Sequence, residues 1–94
     1  MVRIFEIKDK DNKIIYLTDE QWKHITTRHS DVNIEGVKET VLNPLIIKQD
    51  KIDRFLLYYY RFNKLKRSYL MVAVKYLNDE GFIITGFYTR HIRK

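Results

Sequence analysis

Ser68-Tyr69-Leu70-Met71-Val72-Ala73-Val74-Lys75-Tyr76-Leu77, then Asn78-Asp79-Glu80-Gly81, then Phe82-Ile83-Ile84-Thr85-Gly86-Phe87, is the stretch whose reading decides the fold. Period-two alternation puts Leu70, Val72, Val74 and Tyr76 on one side of a strand over 68–77, and Met71, Ala73 and Lys75 on the other. The polar turn residues 78–81 reverse the chain into a last strand over 82–92. Immediately upstream, Phe55–Phe62 is rich in Tyr and Leu and reads as another strand, and Leu45–Lys48 as a short one. Connections this short favour antiparallel neighbours, so the second half of the chain predicts a four-stranded antiparallel sheet.

Working outward, Val2, Ile4, Phe5 and Ile7 among charges mark a strand over 2–8, and Lys13-Ile14-Ile15-Tyr16-Leu17 marks another. Asp9-Lys10-Asp11-Asn12 between them is a polar turn, which makes an N-terminal β-hairpin. Thr18 follows with the features of a helix N-cap, with Gln21 in the capping-box position and Asp19 and Glu20 in the first turn. The spacing predicts a helix to about His29, with Trp22, Ile25, Thr26 and His29 on one face. Ser30-Asp31 ends it as a turn. A second short helix is predicted over 34–42, with Val37 and Val41 four apart, and Asn43-Pro44 stops it. The expected architecture is a single α+β domain over 1–94, in the order β-β-α-α-β-β-β-β, with the helices on one face of the sheet. No repeat, linker or low-complexity tract interrupts it.

The 94 residues suffice for one domain, and 45% hydrophobic content suffices for its core. The net charge is +6 and is unevenly placed. Residues 1–50 carry 8 Lys and Arg against 9 Asp and Glu, whereas residues 51–94 carry 10 against 3. A basic half on a neutral body points to a phosphate-bearing or otherwise acidic partner. The absence of cysteine excludes a disulfide framework, thiolate metal sites and thiol catalysis. The N-terminal residues have no signal-peptide core, and the longest apolar-rich stretch, within 69–77, is too short to cross a membrane. The expectation is a soluble cytoplasmic protein with no membrane partner.

If the helices cover Leu70, Val72 and Val74, then Met71, Ala73 and Lys75 face away from them. A last strand with Phe82 and Ile84 inward would add Ile83, Thr85, Phe87, Thr89 and His91 to that open face, bringing Lys75 close to Thr85. A polar and aromatic face flanked by cations suits RNA, since aromatics stack on unpaired bases and cations hold phosphates. The same residues also serve as ordinary solvent-facing strand positions. Which of Tyr58, Tyr59 and Tyr60 faces out is left open by periodicity.

His24, Arg28 and His29 form a His-x-x-x-Arg-His pattern. His24 and Arg28 share a face, while His29 is rotated about 140° from His24 on a straight helix. Either one histidine is structural or the helix ends early enough to free His29. Histidine suits proton transfer near neutral pH, and arginine suits a phosphate that gains charge during reaction. The alternatives are a solvated His24 and a half-buried His29 completing the Trp22/Ile25 stripe. No spacing of these histidines predicts a metal site.

Trp22-x-His24-Ile25-x-x-x-His29, Val41-Leu42-Asn43-Pro44, the tyrosine-rich strand and Gly81-Phe82-Ile83-Ile84-Thr85-Gly86-Phe87 follow one another in an order that resembles the barnase–EndoU–colicin–RelE superfamily. The likeness is greatest to its small phage-type and toxin-like nuclease domains, and covers about Leu17 to His91. Ser30 stands where many relatives have proline, and Gly86 where alanine is commoner. The resemblance implies a metal-independent, cofactor-free endoribonuclease, often the toxin of a toxin–antitoxin pair, that cleaves RNA by attack of the neighbouring 2′-hydroxyl. It implies His24 and His29 as proton-transfer groups, Arg28 as phosphate ligand and Thr85 as the residue positioning the scissile phosphate. Strand geometry adds Lys75 as a charge stabiliser, and Tyr59 is a further candidate for base stacking or acid chemistry. The expected partners are RNA and an acidic antitoxin or immunity protein. The alternative function is a non-catalytic module that binds RNA or such a protein.

Overall fold

The computed structural model describes residues 1–94 and has the expected element order. The hairpin strands are β1 (Arg3–Lys8) and β2 (Ile14–Thr18), followed by α1 (Asp19–Arg28) and α2 (Ile34–Leu42). The remaining strands are β3 (Ile46–Gln49), β4 (Leu56–Asn63), β5 (Ser68–Leu77) and β6 (Glu80–Thr89). No helix is long and apolar enough to cross a membrane.

The sheet departs from expectation. It has six strands in the order β1-β2-β6-β5-β4-β3, and it is mixed. The four later strands are antiparallel neighbours, as their short connections require. The hairpin does not stand apart from them. β2 lies parallel to β6, with Ile14, Ile15 and Tyr16 opposite Glu80, Gly81 and Phe82. Everything from α1 to β5 forms the long crossover that a parallel pair needs. Gly81 permits this close approach, because a Cβ there would come 2.8 Å from Val74, 3.0 Å from Ile15 and 3.1 Å from Tyr76. Arg3 ties the hairpin to the β6 start, pairing with Glu80 at 2.9 Å and Glu6 at 2.8 Å while its guanidinium lies 3.6 Å over the Tyr16 ring.

The β5–β6 turn is also tighter than the four-residue turn read from sequence. Leu77 pairs with Glu80, so only Asn78 and Asp79 turn, both at positive φ. That is the backbone a two-residue hairpin needs, and Asn and Asp tolerate it.

A bulge then changes the phase of β6. Ala73 pairs with Thr85 but Val74 pairs with Ile83, which leaves Ile84 as the extra residue. Ile83, expected on the open face, is fully buried on the helix side, while Phe82 and Ile84 face the other way. Thr85, Phe87 and Thr89 keep the open-face phase by their pairing with Ala73, Met71 and Tyr69.

The helices pack on the face carrying Leu70, Val72 and Val74. Ile25, Val32, Val37 and Val41 join those residues with Phe5, Ile15, Leu17, Tyr59 and Ile83 in one core. Local signals set the helices. Thr18 accepts from the Gln21 amide at 3.2 Å and Asn33 accepts from Gly36 at 2.7 Å, each capping the first turn. Gln21 does not complete a capping box. Its side-chain amide donates to the Ile84 carbonyl, in the stretch of β6 beyond its pairing with β2. α1 therefore lies beside the part of β6 whose outer edge β2 leaves uncovered.

Two tyrosines close the core near the hairpin turn. The Tyr59 and Tyr76 hydroxyls are 2.6 Å apart, and Tyr76 donates to Asp9 at 3.1 Å. Burial, the largest cause for both, pushes each hydroxyl above its ordinary range; for Tyr76 the bond to Tyr59 adds to the rise. A raised folded-state value means stability that is complete below the ordinary tyrosine range near pH 10 and is lost as pH rises beyond it. The Tyr76→Phe protein is therefore expected to show a shallower loss of stability above pH ~10 than wild type, measured by urea midpoints against pH. An unchanged alkaline slope would remove this pair from the alkaline transition.

Candidate functional site

The helix-free face of the sheet carries two cross-strand rows. One reads Lys48, Tyr58, Ala73, Thr85 across β3, β4, β5 and β6. The next reads Ile46, Tyr60, Met71, Phe87. The small Ala73 separates Tyr58 from Thr85, which stand two strand spacings, or about 10 Å, apart.

At the β6 side, α1 stops at Arg28, and His29 is its C-cap with φ −135°. Leaving the helical course frees the imidazole from the rotation expected of a straight helix. Its ring packs on Phe87 with centroids 5.2 Å apart. His29 is thus a half-buried edge of the helix-free face, one row from Thr85. His24 and Arg28 stay on the exposed outer side of α1, where they line a shallow groove with Glu20, Lys23 and Thr27. The two histidines do not share one pocket.

At the β3 side, the chain's last residues fold back over the face. Ile92 packs on the cluster of Tyr58, Tyr60, Met71 and Ala73. The Arg93 amide donates to the Tyr60 hydroxyl at 3.2 Å, and its guanidinium lies 4.1 Å over the Tyr58 ring. This tail, with Tyr69, Leu56, Ile84 and Phe87, buries the centre of a face that has no helix on it. The expectation of a wholly open aromatic surface is corrected accordingly. Its accessible aromatic rings include the exposed Phe62 and the half-buried Tyr69, Phe82 and Phe87, while Tyr58 and Tyr60 are buried.

Lys75 lies on this face opposite Phe82, one row from Thr85, and its ammonium is paired with Asp53. That bond and the Phe55 amide hold the Asp53 carboxyl below its usual range. Lys75 is therefore committed, and its charge is already balanced. Tyr59 is buried on the helix side and cannot stack on a base at the helix-free face.

Asp50 borders the tail. Its carboxylate accepts from the Tyr58 hydroxyl at 2.6 Å and from the Ile52 and Asp53 amides at 3.1 and 2.9 Å. The Tyr58 bond is the largest cause that lowers its pKa to about 2. A depressed carboxylate contributes stability above its ordinary range and loses it as pH falls towards 2. In the Tyr58→Phe protein the Asp50 pKa is expected to rise from about 2 towards the usual carboxylate range, read by carboxyl NMR titration. A value that stays near 2 would shift the cause to the backbone amides.

Sequence reasoning missed the tail, the pairing of His29 with Phe87 and the capture of Lys75. The stretch Arg90–Lys94 has no pattern that announces a return over the sheet. Asp53, in the hydrogen-bonded turn between β3 and β4, carries no sequence signal for a partner on β5. No match to this chain was found among protein-family models, curated proteins or solved structures.

Proposed function

We propose that the chain is a metal-independent endoribonuclease of the toxin-like kind, working on its helix-free face where α1 meets β6. The observation that carries this reading is His29 seated on Phe87, one row from Thr85 on the same strand. A proton-transfer group and a hydroxyl donor then stand beside a surface with exposed aromatic rings, on a chain of net charge +6. RNA lies across this face, with unpaired bases on Tyr69, Phe62 or Phe87 and phosphates towards the cations. Thr85 donates to a non-bridging phosphate oxygen. His29 takes the proton of the 2′-hydroxyl as the O2′–P bond forms. The P–O5′ bond breaks, and the departing oxygen takes a proton from water. The products are a 2′,3′-cyclic phosphate and a 5′-hydroxyl. Arg28 and His24, on the outer side of α1, serve as flanking contacts to the strand. The barnase–EndoU–colicin–RelE resemblance supports His29 as a proton-transfer group and Thr85 at the phosphate; the proton-transfer role that it implies for His24 is not part of this proposal.

The test is incubation of the purified protein with mixed RNA in EDTA, beside the Arg28→Ala and His29→Ala proteins. Cleavage by wild type with cyclic-phosphate ends, slowed about 10²–10⁴-fold in His29→Ala, is the expected outcome. The separation of His24 from His29 and the burial of Tyr58 and Tyr60 favour one second reading, a non-catalytic RNA-binding module. RNA retained at low salt with no cleavage would select it.

A further inference from the structure

The sheet has two edges, β1 and β3, and they differ in character. β1 alternates Arg3, Glu6 and Lys8 with its apolar residues, which discourages pairing with another chain. β3 is Ile46-Ile47-Lys48-Gln49, preceded by an exposed Leu45. The Asp50 amide donates to the Leu56 carbonyl at 2.9 Å, so Asp50 and Leu56 occupy a hydrogen-bonded position in the β3–β4 register. Alternation then turns the backbone groups of Lys48 inward as well, and those of Ile47 and Gln49 outward. An unused N–H and C=O stand at each of those two residues.

The two sides of this edge are chemically distinct. On the helix side, Ile47 is 45% exposed and borders a groove of about 280 Å³ whose apolar lining is Phe55, Leu57, Tyr59 and Tyr76 and whose charged lining, Asp9, Asp11, Lys13 and Arg54, is balanced in sign. Val41 and Pro44 extend the apolar wall towards α2. On the other side, Lys48 shares the Tyr58 row, over which Arg93 lies, and Lys51 and Lys94 line a pocket with Tyr58, Asp50 and Arg93. None of Lys48, Lys51, Arg93 and Lys94 forms an ion pair. The carboxylates beside these cations are spent inward, Asp50 on Tyr58 and backbone amides and Asp53 on Lys75, while Asp9 and Asp11 lie across β3 with the Ile47 groove.

We infer that β3 is the docking edge for an extended segment of an acidic partner protein, which adds a seventh strand whose side chains alternate apolar and acidic. Period two sends one set of its side chains into the Ile47 groove and the other set onto the Lys48, Lys51, Arg93 and Lys94 cluster. A second copy of this chain fits poorly, because its own β3 would bring Lys48 and its neighbours against the same cations. Single-stranded RNA satisfies the cations and leaves the outward amides and the apolar groove unused.

The probe is a capped octapeptide alternating glutamate and valine, titrated into the full chain by NMR and calorimetry. The expected result is binding centred on the amides of 46–49, weakened by salt and absent for a lysine–valine octapeptide. Gln49→Pro deletes an outward N–H, a substitution edge strands accept. Ile47→Lys keeps the backbone and changes only a half-exposed side chain. Each is expected to weaken peptide binding by about tenfold or more, with oligouridylate binding unchanged. Peptide binding absent from wild type, or undiminished from wild type in both variants, overturns the proposal. Concentration-dependent dimers that Gln49→Pro dissolves would assign the edge to a second copy, and oligouridylate binding lost in Gln49→Pro would assign it to RNA.

Discussion

Ile83→Ala is expected to destabilise the protein by about 2–5 kcal/mol, and Ile84→Ala by well under half as much. The two residues are neighbours of identical type, so neither propensity nor composition separates them. The β6 bulge does. It sends Ile83 into the core against Val74, where it is fully buried, and leaves Ile84 half-buried at the margin of the tail cluster. Truncating Ile83 removes its transfer energy and leaves a cavity among rigid neighbours, whereas the site of Ile84 can relax. A domain of this size has about 5–15 kcal/mol of total stability, so Ile83→Ala is measurable but close to unfolding. Ile83→Val, expected to cost about 0.5–1.5 kcal/mol, is the safer member of the series. Urea midpoints at constant slope provide the readout. Equal costs, or a larger cost at Ile84, would mean that β6 runs without the bulge and that Ile83 shares a face with Thr85 and Phe87.

His29→Ala is expected to lower RNA cleavage by about 10²–10⁴-fold, the range removed with a general acid–base group. His24→Ala is expected to stay within a few-fold of wild type, since His24 lies on the outer side of α1 away from Thr85. Thr85→Val, which removes only the hydroxyl donor, is expected to fall between them. Stability is the necessary control, because His29 also packs on Phe87. His29→Phe keeps an aromatic ring there and lacks a proton-transfer group. It is expected to fold like wild type and to be as inactive as His29→Ala. Activity retained in His29→Phe would reduce His29 to a packing residue, and activity lost in His24→Ala alone would move the chemistry to the outer side of α1.

Much of the fold was legible because local physics sets it. The Thr18 cap, the Asn43-Pro44 stop and the alternation of Leu70, Val72 and Val74 each depend on residues within one turn or one pleat. The candidate site was legible in part. Thr85 and Phe87 reached the expected face, although the phase argument that put them there also misplaced Ile83. A bulge adds one residue without any compositional mark, and period two has no means of counting it.

The sequence by itself determined the element order, the helix caps, the helix-facing stripe of β5 and the basic second half, since these follow from nearest neighbours, side-chain chemistry and charge. Only the tertiary structure decided that β2 joins β6 in parallel, that His29 leaves its helix to meet Phe87, that Asp53 captures Lys75 and that the tail covers Tyr58 and Tyr60. Each of those brings together residues more than 20 positions apart. Their pairing is chosen by shape, burial and hydrogen-bond completion in the assembled core, which no local pattern encodes.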